Sequence, residues 1–156
     1  MKNIPLLAVV FLLCLIPSLS IAAPLVEIDR DSLELSLSPY VDVLEDKDGS
    51  LTIKDVMSER YAFQFAPAAM TELFFGYSTS VYWIKFTAEN QRDVSMQFVL
   101  EASPADIDYL DLYVIDPHGG QLRQHKRLGS ATPYGDRDYS HPLNLFDLDI
   151  EAHTAN

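Results

Sequence analysis

Apolar and polar positions alternate with a period of two through most of the second half of the chain. In "VYWIKFTAE", Tyr82, Ile84 and Phe86 share one face and Trp83, Lys85 and Thr87 the other. In "SMQFVLE", Met96, Phe98 and Leu100 alternate with Gln97 and Glu101. In "IDYLDLYVID", Leu110, Leu112 and Val114 alternate with Tyr109, Asp111 and Tyr113. In "LNLFDLDI", Phe146, Leu148 and Ile150 alternate with Leu145, Asp147 and Asp149. This period belongs to strands that bury one face. "PHGG" reads as a tight turn, "QLRQHKRL" as the returning strand, and "GSATPYGDRDYSH" as a loop.

The first half alternates less. "YVDVL" (Tyr40–Leu44) reads as a strand, "LTIKDVMSE" holds one short helical turn, and "YAFQF" (Tyr61–Phe65) reads as a brief strand. "PAAMTELFFGYS" is irregular and apolar. Several short strands separated by turn residues predict an all-β chain: an antiparallel β-sandwich.

"LEDKDGSLTIKD" between the first strand and the helical turn resembles a calcium loop. With Gly49 at the sixth position, Asp46 and Asp48 fall at the third and fifth. The first position is then Leu44, which has no oxygen to offer, and the twelfth is Asp55 rather than glutamate. The residues fit a polar Asp-Gly turn better.

The N-terminus carries a targeting pattern. Lys2 precedes an apolar run from Ile4 to Leu19, interrupted by Pro5 and Pro17, and "SIAAP" supplies small residues. Cleavage after Ala22 puts Ser20 and Ala22 at the processing positions. The expected organisation is a signal peptide (1–22), an N-terminal lead-in (23–38) and one β-sandwich domain (39–156). The single cysteine, Cys14, leaves with the signal, so no disulfide framework remains.

The formal net charge is −12 over 156 residues. Removing a signal that holds Lys2 and no acid makes it −13. Such a surface repels phosphate backbones and anionic lipid, so nucleic acid is not an expected partner. The one basic cluster, "RQHKR" (Arg123–Arg127), reads as a solvated strand face. His118, His125, His141 and His153 show no metal-ligand spacing, and no G-x-S-x-G is present. No catalytic residue, metal site or cofactor is assigned, and the chain is not expected to be an enzyme. Tyr109, Asp111 and Tyr113, on one face of one strand, have the composition of a sugar-binding surface: flat rings for C–H faces and a carboxylate for hydroxyls. Trp83 is a further candidate, with a structural role beside the Lys85 stem as its alternative.

"FFGYSTSVYWIKFTAEN" (74–90) resembles the extracellular sensory domain, second type, of bacterial seven-transmembrane receptors with diverse intracellular signalling modules. The resemblance continues through "DIDYLDLYVIDPHGGQL" and through "GSATPYGDRDYSHPLNLFDLDI", where Arg137 matches the family's arginine. "YVDVLEDKDGSLTIKDV" resembles its opening segment. The resemblance implies a carbohydrate-module-like jelly roll on the periplasmic side of the inner membrane, sensing a small, sugar-related ligand. The ligand-contacting candidates are Tyr109, Asp111, Tyr113, Trp83 and Arg137. It also implies transmembrane helices and a cytoplasmic output domain in the full receptor, neither seen here, and a final strand that "EAHTAN" does not supply. The expected function is ligand sensing; the alternative is a protein-interaction module that forms a homodimer or docks a periplasmic partner.

Overall fold

The computed structural model describes residues 25–28, 34–68, 72–116 and 118–152. The signal-peptide segment 1–22 lies outside the described residues. The described chain is all-β with short helical turns, in the order β1 (Val26–Ile28), β2 (Asp42–Asp46), helical turns Ile53–Val56 and Glu59–Ala62, β3 (Ala66–Pro67), β4 (Val81–Lys85), β5 (Ala88–Asn90), β6 (Met96–Ala102), β7 (Leu110–Ile115), β8 (Leu122–Leu128) and β9 (Asn144–Ile150). Short 3-10 turns occur at Ser38–Tyr40 and Tyr134–Asp136.

The strands form four small sheets: β1–β5, β3–β2–β4, β6–β9 and β7–β8. All pairs are antiparallel except β1–β5, which runs parallel. That parallel pair departs from the wholly antiparallel expectation. β1 falls in the lead-in segment, where the sequence shows too short an alternation to mark a strand. Its burial nevertheless makes it part of the core: Val26 is 1% exposed and Ile28 8%. The Val26 amide donates to the Thr87 carbonyl at 2.9 Å, and the Gln91 amide to the Ile28 carbonyl at 3.1 Å.

The predicted alternation holds in β6 and β9. Their register sets Met96 opposite Ile150, Phe98 opposite Leu148 and Leu100 opposite Phe146. Facing residues of an antiparallel pair lie on the same side, so these six side chains form one apolar face, and Phe146 is buried to 1% exposure. Asn90, the closing residue of β5, is equally buried. Its side-chain amide donates to the Val94 carbonyl (2.8 Å) and the Ile150 carbonyl (3.3 Å), and its oxygen accepts from the Arg92 amide. One side chain therefore ties the β5–β6 turn to the end of β9.

The Asp-Gly segment forms the polar turn expected of it. Gly49 has φ 61°, and the Asp46 carboxylate accepts from the Ser50 and Leu51 amides at 3.2 and 2.8 Å. Burial pushes the Asp46 carboxyl up, but these amide hydrogen bonds help to outweigh it and hold it below the ordinary value. The helical turn after it is fixed by a reciprocal cap. The Thr52 amide and hydroxyl donate to Asp55 Oδ2 at 2.8 and 2.6 Å, and the Asp55 amide donates back to Thr52 Oγ1.

The strand expected at Tyr61–Phe65 is corrected. Residues Glu59–Ala62 form a helical turn, with the Tyr61 and Ala62 amides donating to the Ser58 carbonyl, and pairing begins only at Ala66. The period-2 spacing of Tyr61, Phe63 and Phe65 misled because Phe63 has no core to enter; it is 81% exposed.

Candidate functional site

β7 and β8 form a hairpin in which Asp111 faces Arg127 and Tyr113 faces His125. The other side of the hairpin carries Leu110, Leu112 and Val114 with Leu128, which is buried. Alternation therefore sends Asp111, Tyr113, His125 and Arg127 to one face together. The hairpin is closed by Asp116, whose carboxylate caps the His118 and Gly119 amides.

On that face, the Tyr113 and His125 rings stack with centroids 4.4 Å apart and planes 5° from parallel. Trp83 of β4 also stacks on Tyr113, at 6.0 Å and 28°. Trp83 shares its sheet face with Leu44, its cross-strand partner, so this contact joins the β3–β2–β4 sheet to the β7–β8 hairpin. The Trp83 indole nitrogen is buried with no hydrogen-bond partner.

Asp111 sits at the edge of the stack. Arg127 Nε and Nη2 donate to its two oxygens at 2.9 and 3.0 Å. His125 Nε2 lies 2.6 Å from Oδ1, reached diagonally across the hairpin. Burial pushes the Asp111 carboxyl up, but the hydrogen bonds from Arg127 and then His125 outweigh it and hold it below the ordinary value. Burial, and then the Asp111 charge, push the Tyr113 phenol up, so it stays a protonated donor at neutral pH.

The basic cluster of β8 is charge-paired. Arg123 bonds Asp116 at 2.7 Å and Glu151 at 2.8 Å, Lys126 pairs with Asp138, and Arg127 with Asp111. Each cation meets an acid of this same chain, which leaves the strand unsuited to polyanions.

The sequence candidates separate. Asp111, Tyr113 and Trp83 come together. Tyr109 lies just before β7, rather than within the strand, and is 71% exposed. Arg137 reaches the loop after β8, donating to the Gly129 carbonyl at 2.8 Å and the Thr132 carbonyl at 3.1 Å. That loop is in turn bonded to the residues leading into β7: the Ser130 amide to the Ile107 carbonyl and the Ala131 amide to the Asp108 carbonyl. Arg137 thus holds the hairpin's open end. The sequence does not single out His125 and Arg127, because a lone basic run in an acidic chain reads as solvated; only the β7–β8 register places them opposite Tyr113 and Asp111. Among the described residues no group of three or more His, Cys, Asp and Glu side chains is arranged to hold a metal ion.

The family described as 7TMR-DISM extracellular 2 matches residues 38–156. A search of curated proteins returns no match. The match spans most of the chain, and the chain belongs to that family: it is an extracellular sensory domain of the seven-transmembrane receptor class, exported to the periplasmic side of the membrane.

Proposed function

We propose that this member of the receptor family is a periplasmic ligand-sensing domain and that the face made by Trp83, Tyr113 and His125, with Asp111 at its edge, receives a small carbohydrate-related ligand. On this reading the sheets are parts of a jelly-roll sandwich, and the Trp83–Tyr113 contact joins its two layers. The observation that carries the proposal is the three-ring stack beside an ionised carboxylate. Rings offer faces to sugar C–H surfaces, while Asp111 accepts and the Tyr113 phenol donates hydrogen bonds to hydroxyls. Asp111 already neutralises Arg127, so the face carries little net charge and suits a neutral polyol. Calorimetric titration with hits from a glycan array tests it. Tyr113→Ala should weaken binding at least about fivefold, roughly 1 kcal/mol. Unchanged affinity in both Tyr113→Ala and Asp111→Ala would remove this face from consideration.

A second reading, a protein-interaction module, draws support from exposed aromatics: Phe63 at 81%, Phe74 at 68% and Tyr77 fully exposed. Exposed rings of this size mark contact surfaces when they cluster. Sedimentation of the chain, against a Phe74→Ser/Tyr77→Ser variant, tests for a homodimer formed through them.

A further inference from the structure

A groove of about 350 Å³ lies between the first helical turn and the tip of the β7–β8 hairpin, lined by Ile53, Lys54, Met57, Ser58, Gly120 and Leu122. We propose that it is a second ligand site, separate from the ring stack, and that it takes an amphipathic anion: an apolar chain or ring bearing one carboxylate.

The walls come from two locally fixed elements. The Thr52–Asp55 reciprocal cap locks the turn, which puts Ile53 and Met57 four residues apart on one face. Opposite, Gly120 has φ 61° and its amide bonds the Asp116 carbonyl at 2.9 Å. A Cβ at Gly120 would meet nothing within 4 Å, so the groove is open at the hairpin tip. Met57 is 42% exposed and Leu122 49% exposed. Covering them would remove apolar surface from water.

The charge pattern selects the head group. Asp55, next in sequence to Lys54, is turned back onto Thr52 at 2.6 and 2.8 Å. Hydrogen bonding from Thr52 holds its carboxyl below the ordinary value. The cations of neighbouring β8 are paired with acids. Among the described residues no ion pair or side-chain hydrogen bond engages Lys54. The Ser58 hydroxyl is committed to the Asp55 carbonyl at 2.6 Å. The groove is therefore lined by apolar side chains and by one lysine, Lys54, that no acid among the described residues pairs. The −12 charge of the whole chain is screened beyond about 8 Å at physiological salt, so Lys54 dominates at contact distance. The volume lies at the lower end of small-molecule sites, about 300–1,000 Å³.

Calorimetric titration of the whole chain with decanoate and with decanol, both below their aggregation limits, tests the proposal. Decanoate should bind saturably, one per chain, and about two- to fivefold tighter than decanol, the range of an exposed ion pair. Lys54→Gln should erase that preference while leaving decanol unchanged, and Leu122→Asn should weaken both. Both side chains are exposed, so both variants keep the fold. Absence of saturable decanoate binding, equal binding of the two probes, or a preference that survives Lys54→Gln would overturn it.

Discussion

Tyr113 and His125 stack face to face across the β7–β8 hairpin, 4.4 Å apart and 5° from parallel. They meet because the register makes them direct cross-strand partners, and Asp111, two residues before Tyr113, then reaches His125 and Arg127 together. The pair fixes the position of the Tyr113 ring for any ligand laid against it.

The Asp111 environment gives the first prediction. Hydrogen bonds from Arg127 and His125 overcome a burial that would raise its pKa. In Arg127→Gln the larger of those hydrogen-bonding contributions is gone, so the Asp111 carboxyl should titrate at higher pH than in the native chain. Carboxyl-carbon NMR reads the midpoint directly. An unmoved midpoint would mean that Arg127 does not hold this carboxylate in solution.

Asp116 is depressed in the same direction. The Arg123 side chain, then the His118 and Gly119 amides, lower its pKa to about 2. The folded value is depressed, so its contribution to stability is complete above the ordinary value of 3.8 and is lost as pH falls from there through about 2. Arg123→Gln should move the NMR midpoint back towards 3.8 and shrink the stability difference measured between pH 5 and pH 2.

Gly129 is required by geometry. Its φ is 113°, and a Cβ there would lie 2.3 Å from the Asp108 carbonyl oxygen. Gly129→Ala should cost about 2–3 kcal/mol, from strain and the displaced loop that Arg137 clamps. Urea unfolding measures it. Gly120→Ala, whose Cβ meets open space, should show only the smaller penalty of its positive φ.

β1 lies before the family match, which starts at residue 38, yet Val26 is buried at 1% exposure beside β5. Val26→Asp should therefore destabilise the chain by about 3 kcal/mol or more, an unpaired charge having replaced a core side chain. A chain beginning at residue 38 should melt at lower temperature than one that keeps β1. Equal melting temperatures would make β1 an ornament rather than part of the core.

The amino-acid order by itself determined the all-β class, the apolar faces of β6 and β9, and the Asp-Gly turn. Each follows from neighbours within a few positions: period-2 alternation puts Phe98 and Phe146 inside, and Gly49 accepts the positive φ that the turn needs. It also carried the family, through residues 40–150, and three members of the candidate face. The tertiary structure alone decided what those members touch. Nothing local to "RQHKR" tells that Arg127 meets Asp111 or that His125 meets Tyr113, because register is set by a turn and two whole strands. The parallel pairing of Val26–Ile28 with Ala88–Asn90 joins segments about sixty residues apart, and a three-residue strand is too short to announce itself. Phe63 reads as buried by its spacing and is exposed because Ser58 and its neighbours close a helical turn first. Side-chain identity and spacing reveal local geometry; long-range pairing depends on which surfaces are left to meet, and that is a property of the folded whole.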